Sequence, residues 1–449
     1  MRYLFIIVAS LLSNCILAQE APPKDNSPLT FIGLGEVLEQ NLSGSSGMSG
    51  LSATYRDAYH LNILNPASLS SMRSTSYEFG LFGRKSTITS GGNTNSANSG
   101  NLQYLVLGFS LKNQVNELLD KREKSDWQYG MQLSVTPYTQ VGYNVTNTVR
   151  NPSVGIVTST HKGRGGAYQF QWGTGVGYKG FSAGATLGYM FGSISNTYAS
   201  ALASTSNAYQ SNFYNAYDLR GLVYNGGVQY DYAFMKKGEK GKMEQNGKHI
   251  IFGAYGNPST SFRNYTTSNV THVNTGYIGP NGGFVIDTFV NIVGKKNLGT
   301  MPGNFSVGVM YEQTDKLRIG VNYSTSKWSN YKNDARPNEK LADSNKFSIG
   351  AEYTPNANSF TSFFKRVRYQ AGFYTGKDPR VFKGEQIGHT GFTLGMGMPL
   401  KLPRNQISFM QVTFEKGTFK HSYLKTDYYQ LNFGFTLNDN GWFYKRRFD

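Results

Sequence analysis

An all-β fold, a transmembrane antiparallel β-barrel of about 14 strands behind an N-terminal segment, is what this sequence predicts. Three observations predict it. The composition is rich in glycine and aromatic rings and poor in charge. Apolar residues recur at every second position in many short stretches. The links between those stretches tend to alternate between short and long.

Glycine supplies 52 of 449 residues and Phe, Tyr and Trp together 14 %, while charged residues reach only 16 %. Ordinary soluble domains carry about 7 % glycine and about 25 % charge, so a typical soluble two-domain enzyme is excluded. Disorder is excluded as well, because so many rings are too much apolar surface for a solvated chain.

The chain opens with MRYLFIIVASLLSNCILAQE. Residues 1–18 read as a signal peptide: Arg2 provides the positive start, Tyr3 to Leu12 is apolar, and Ala18 before Gln19 suits cleavage. The apolar run is too short for a retained anchor helix. Cys15 is the only cysteine. Leu12-Ser13-Asn14-Cys15 loosely resembles a lipidation box, but Asn14 fits it poorly, and removal of Cys15 with the leader is expected. The mature chain then has no thiol, hence no disulfide and no thiolate metal site. No later stretch offers about 20 apolar residues, so helical spans are not expected.

Residues 19–73 show no clean alternation. Pro22-Pro23 and Ser27-Pro28 make an extended lead; Gly33-Leu34-Gly35, Gly44, Gly47, Gly50 and Asp57 follow, and Ile63-Leu64-Asn65-Pro66-Ala67-Ser68-Leu69 closes the segment. A stretch of this length ahead of a barrel reads as a hatch folded into the lumen or as a periplasmic extension.

Residues 74–437 carry the barrel. Phe181, Ala183, Ala185, Leu187 and Tyr189 alternate with Ser182, Gly184, Thr186 and Gly188. Leu317, Ile319, Val321 and Tyr323 alternate with Arg318, Gly320 and Asn322, and Val367, Tyr369, Ala371 and Phe373 with Arg368, Gln370 and Gly372. Successive strand side chains point to opposite faces, so each stretch has one greasy and one small or polar face. A soluble sandwich would alternate too. The second face, however, is mostly Gly, Ser, Thr, Asn and Gln, as a lumen wants, and the greasy face often ends in an aromatic ring, as interfacial girdles require.

Strands are expected near residues 75–85, 101–111, 126–148, 166–178, 181–193, 214–235, 248–257, 303–313, 316–328, 345–354, 363–376, 389–400, 406–419 and 425–437. Tight turns, such as Lys179-Gly180 and Thr314-Asp315, fall on the periplasmic side. Long links, 86–100, 149–165, 194–213, 258–302, 329–344 and 377–388, fall on the outer side; 258–302 has room for another hairpin. Pro137, inside the long third strand, makes a kink that moves during passage or a tolerated bulge. Gly163-Arg164-Gly165-Gly166 reads as a flexible turn. Residues 438–449 form a basic periplasmic tail.

The net charge is +17. Many cations gather on the periplasmic links or beside them: Lys121, Arg122, Lys124, Lys236, Lys237, Lys240, Lys242, Lys365, Arg366, Lys401, Arg404, Lys445, Arg446 and Arg447. They are solvated turns facing anionic lipid, or a docking surface for an acidic partner. Nucleic acid is not an expected partner, as no basic helix or paired aromatic–basic motif is present. The six histidines (His60, His161, His249, His272, His389 and His421) show no metal-ligand spacing. No phosphate loop or nucleophile elbow is visible. His161 and His421 are the candidates for a base, should a hydrolytic set assemble across strands; no enzyme activity, metal or cofactor is expected.

The Gly-rich lead, then Asp57, then Asn65-Pro66-Ala67 before the first strand resembles FadL-type outer-membrane transporters. Trp172-Gly173-Thr174-Gly175 and Asn438-Asp439-Asn440-Gly441-Trp442-Phe443 resemble the Bacteroidota branch of these hatch-containing barrels. The resemblance implies a hatch followed by 14 strands, residence in the Gram-negative outer membrane, and passive uptake of hydrophobic molecules through a lumen and a lateral opening. It implies, alternatively, a non-transporting accessory subunit of an outer-membrane secretion or barrel-assembly complex. Asn65, Pro66 and Ala67 carry over as hatch residues; an ordinary turn is the other reading of them. The implied partners are outer-membrane lipids and lipopolysaccharide, with a hydrophobic solute or other outer-membrane proteins.

Overall fold

The computed structural model describes residues 27–113, 116, 125–153, 155–202, 209–237, 243–274, 284–402 and 406–442. The leader expected over 1–18, Cys15, most of the link 112–125, and the cations Lys121, Arg122, Lys124, Lys240, Lys242, Arg404 and Lys445 to Arg447 lie outside the described residues.

Sixteen long strands occur among the described residues: β1 (Thr75–Ser90), β2 (Asn93–Ser110), β3 (Trp127–Asn151), β4 (Gly155–Tyr178), β5 (Phe181–Leu202), β6 (Tyr209–Lys237), β7 (Met243–Asn257), β8 (Thr260–Asn274), β9 (Phe284–Met301), β10 (Asn304–Gln313), β11 (Leu317–Ser326), β12 (Ser344–Tyr353), β13 (Arg368–Phe382), β14 (Glu385–Leu402), β15 (Gln406–Lys420) and β16 (Lys425–Asp439). Fourteen of them close an antiparallel barrel: each pairs with the next, β7 pairs with β10, and β16 returns to β1 from Lys425↔Thr89 to Asp439↔Thr75. Such closure is the condition for spanning a bilayer with strands, and it is complete except where β2 and β3 part above Leu105↔Val135. Among the described residues no helix is long and apolar enough to cross a membrane.

The remaining two strands, β8 and β9, are the hairpin for which the 258–302 link has room. β6 is long enough to pair with β7 along its lower half and with β8 along its upper half. The step from β7 to β8 occurs at Pro258-Ser259 and the step from β9 to β10 at Pro302-Gly303, side by side in the wall. Proline has no N–H for the ladder, so both strands break where it occurs.

All fourteen expected strands are present, but the outer links differ. Residues 86–100, 149–165 and 194–213 are largely strand, because the hairpins continue beyond the membrane. Gly163 to Gly166, expected as a turn, is therefore part of β4; an irregular stretch there leaves Gly165 at φ 113° and Gly166 at φ 154°. β4 has 24 residues where about 9–11 suffice to cross. β13 starts at Arg368, later than the expected 363, and Phe360 to Phe364 lie in the preceding link. β16 runs to Asp439, two residues into the expected tail. The tight turn at Lys179-Gly180 has φ of 45° and 88°, the left-handed pair that suits a two-residue hairpin.

The greasy face points outward. Phe181, Leu187, Tyr189 and Phe191 on β5 and Leu431 and Phe433 on β16 are each 40–53 % exposed, whereas Ser182, Thr186 and Asn432 are buried. This is the inversion that a lipid solvent imposes. Replacing Leu187 with Arg at mid-band is expected to destabilise the barrel by about 2–4 kcal/mol in a bilayer, checked by urea unfolding in vesicles, with Arg at the outer position Ser200 as the near-neutral control.

Candidate functional site

The interior is occupied by the N-terminal segment. From residue 27 the chain threads between the walls, and residues 41–55 and 65–70 are continuously buried. The fit rests on bare glycine. A Cβ at Gly130, Gly175, Gly184, Gly227, Gly253 or Gly350 would overlap atoms of Leu69, Pro66, Asn65, Ala53 or Met48. These glycines belong to the small-residue face of six different strands, so backbone meets backbone around the ring.

Asn65 caps the short 3₁₀ turn Pro66–Ser71, accepting from Ala67 N at 3.2 Å. Its Nδ2 donates to Ala53 O at 2.6 Å and also to Val228 O at 3.3 Å and Ala254 O at 3.5 Å on β6 and β7. Pro66 and Ala67 lie against Gly175 and Gly184. The three residues thus combine a turn with a wall contact. Pro137 sits at a bulge in β3, where Tyr138 is the extra residue between Pro137↔Tyr168 and Thr139↔Ala167.

Near the bulge the wall separates. β2 and β3 pair only from Leu105↔Val135 to Ser110↔Gly130. Higher up, β3 takes Glu36 and Val37 of the lumenal segment as its neighbours, at Gln140 and Thr139, and Leu38 N donates to Tyr138 O at 2.9 Å.

Two charged clusters hold the segment. At the lower one Asp57 Oδ2 accepts from Arg318 Nη1 and Arg368 Nη1, both at 2.8 Å, and Oδ1 accepts from Tyr59 N at 2.8 Å. Arg318 also reaches Glu352 and Glu312, each at 3.1 Å. Burial alone would raise the Asp57 carboxyl; the guanidiniums of Arg368 and Arg318 outweigh it and hold the group well below the usual carboxylate range. Burial pushes the His60 imidazole down to about 3, so its 3.8 Å contact with Glu78 is not an ion pair at neutral pH.

The upper cluster surrounds a cavity of about 90 Å³ lined by residues including Glu36, Glu39, Arg84, Tyr374, His389, Glu415 and Tyr428. Arg84 pairs with Glu36, donates to Gln430 at 2.7 Å and lies 4.3 Å from the centre of the Tyr428 ring. Tyr374 and Tyr428 donate to Glu415 at 2.6 and 2.8 Å, and His389 Nε2 is 2.9 Å from the Tyr428 hydroxyl. The charged and phenolic groups of the lining are mostly paired, and Val37, Leu38, Phe82, Pro137 and Phe419 complete it.

His161 stands on outer β4, stacked on Tyr198 at 4.6 Å, whereas the His421 ring is 2.8 Å from the Phe382 carbonyl at the β15–β16 link. The structure does not bring the two together. Among the described residues no group of three metal-capable side chains occurs. Sequence reasoning missed the Asp57 anchor. Its signal was present: Arg318 and Arg368 are the cations on inward faces that otherwise hold glycine, Asn and Gln.

A family model described as BamG matches residues 1–449. The chain belongs to the BamG family. No curated relative matches at a significant level. Among solved structures the CymD monoaromatic hydrocarbon channel is 14 % identical, covering 91 % of this chain and 99 % of its own, with a TM-score of 0.51. The Ralstonia pickettii toluene transporter TbuX is 13 % identical over 88 % of this chain and 98 % of its own, TM-score 0.51. A Pseudomonas aeruginosa FadL homologue is 10 % identical over 90 % and 98 %, TM-score 0.51. The fold of this BamG-family chain is therefore of the FadL type, that of an outer-membrane barrel, and the first two of these neighbours are a channel and a transporter.

Asp57→Asn is expected to remove about 3–5 kcal/mol of stability by leaving two guanidiniums, each only 13 % exposed, short of charge. Because the folded-state pKa is depressed, the wild-type advantage is complete above the unfolded value of about 3.9 and is lost only as pH falls through the lower folded value. Denaturant titrations of both proteins should therefore stay equally far apart from pH 7 to about pH 5 and converge only in strong acid.

Proposed function

We propose that this protein is a non-transporting accessory barrel of an outer-membrane barrel-assembly complex, exported by a cleaved signal peptide over residues 1–18 and of the Bacteroidota type. One observation carries the reading: the lumen is filled by residues 41–70, packed without side chains between them and the wall at the glycine contacts. The cavity above holds about 90 Å³. An apolar cavity of about 150 Å³ is what accommodates benzene, and this one is smaller, with carboxylates, a guanidinium and phenols set among Val37, Leu38, Phe82, Pro137 and Phe419. Such a site is unsuited to an apolar solute. Membership of the BamG family supports the assembly role in preference to secretion.

On this reading the N-terminal segment, with Asn65, Pro66 and Ala67, is a permanent hatch, and Pro137 marks a bulge with no moving role. Function lies on the outer surfaces. The lower rim carries exposed Lys236, Lys237, Lys365 and Lys401, with Phe360 91 % and Phe364 68 % exposed beside them. That rim suits an acidic periplasmic partner.

Passive uptake of a hydrophobic molecule is the second reading, favoured by the separation of β2 from β3 above Val135. A locked hatch separates the two. Ser46 Oγ and Thr413 Oγ1 are 2.9 Å apart, so Ser46→Cys with Thr413→Cys is placed to form a disulfide between hatch and wall. We expect the oxidised variant to support growth and to co-purify with its complex as well as the reduced one. Loss of activity on oxidation, with complex formation intact, would instead support transport. Changing Lys236, Lys237, Lys365 and Lys401 to Glu is expected to abolish co-purification without lowering barrel stability, as read by native pull-down alongside thermal unfolding.

A further inference from the structure

The outward wall is apolar over a definite height. On β6 it runs from Leu222 through Tyr224, Val228 and Tyr230 to Tyr232, all exposed. Ten residue-to-residue steps of about 3.3 Å, tilted by roughly 40°, rise about 25 Å, the height of an outer-membrane apolar band. The next outward residue on β6 is Arg220, which stands directly opposite Arg263 of β8. Both are exposed.

Two like charges directly opposite on one face of an antiparallel pair repel and destabilise it. Neither guanidinium is in an ion pair among the described residues. Asp218, the next outward residue up β6, lies opposite Tyr265 and pairs with neither arginine. Arg220 Cζ is 5.3 Å from the centre of the Tyr265 ring, and exposed Lys296 of β9 is the other neighbour of Tyr265. Below this row the wall is apolar at once: Phe191 pairs with Arg220, Leu298 pairs with Arg263, and both are exposed. Three cations with no ion pair among the described residues therefore sit at the outer boundary of the acyl layer, directly over a greasy surface.

We infer that Arg220, Arg263 and Lys296 form a binding site for the phosphate groups of a phosphorylated glycolipid of the outer leaflet. The guanidiniums supply planar, two-pronged donors that match phosphate oxygens. Tyr265 braces Arg220. Acyl chains lie against Phe191, Leu222 and Leu298. A free phosphate would satisfy the charges but leave the greasy surface uncovered, and a neutral lipid would do the reverse. The anion also removes the repulsion across the β6–β8 ladder at the point where β7 gives way to β8. This site is independent of whether the lumen conducts.

The test uses the full mature chain, purified in detergent free of lipopolysaccharide. Its thermal unfolding midpoint is followed against lipopolysaccharide, against lipopolysaccharide stripped of its sugar phosphates, and against inorganic phosphate. Wild type is expected to gain stability with lipopolysaccharide in a saturable way and to respond little to the other two. Arg220→Gln with Arg263→Gln should weaken the apparent affinity about ten-fold or more. In lipid-free detergent that variant should be at least as stable as wild type, because the repulsion is gone, so a binding loss does not reflect misfolding. Lys237→Gln, at the opposite rim, should bind as wild type does. Should the double variant fail to fold, Arg263→Gln alone gives the same reading. The inference is overturned if either variant binds lipopolysaccharide like wild type, or if stripped lipopolysaccharide or inorganic phosphate protects equally well.

Discussion

Backbone pressed against backbone, with glycine as the spacer, governs the inside of this barrel. Fourteen strands enclose a lumen of fixed girth, and the chain ahead of them must pass through it without leaving buried amides unpaired. Small inner-wall residues let the segment approach closely enough for wall side chains to serve it. Asn225 Nδ2 donates to Leu64 O at 2.6 Å, Gln229 Nε2 to Ala53 O at 2.9 Å and Gln370 Nε2 to Gly44 O at 2.8 Å. A larger residue at Gly227 or Gly253 would remove the space in which those bonds form.

The two charged clusters complement that contact differently. Asp57 lies between arginines from β11 and β13, so its carboxylate ties the segment to two non-neighbouring strands at once. Glu36 meets Arg84 of β1 while its backbone pairs with β3, across the place where β2 and β3 separate. The lumenal segment therefore replaces part of the missing ladder. A FadL-type wall with a gap and a filled interior is coherent in those terms: the gap exists, and the segment seals its base.

Outside, the constraint changes from packing to solvent. Leu187 and Phe433 stand exposed on the outward face, and the cost that water would exact for them disappears in an acyl layer. The outer leaflet then sets where charge is tolerated. Arg220 and Arg263 stand one step above the apolar band, a position in which a neighbouring anion is abundant and a protein carboxylate is not needed.

Strand positions and the outward aromatic belt were legible in the chain because period two is a local property. Phe181 to Tyr189 declare their faces without reference to any other strand. The extent of the outer hairpins was not legible, since Ser, Asn and Thr at 86–100 or 194–213 serve a solvated strand as readily as a loop, and pairing with a neighbour decides between them. Asn65 was visible as the start of a turn, yet its bonds to Val228 and Ala254 join residues far apart in sequence. The same holds for Asp57 with Arg318 and Arg368, and for Arg220 facing Arg263. Alternation assigns each residue a side of the wall; only closure of the sheet assigns it a neighbour, because register is a relation between strands.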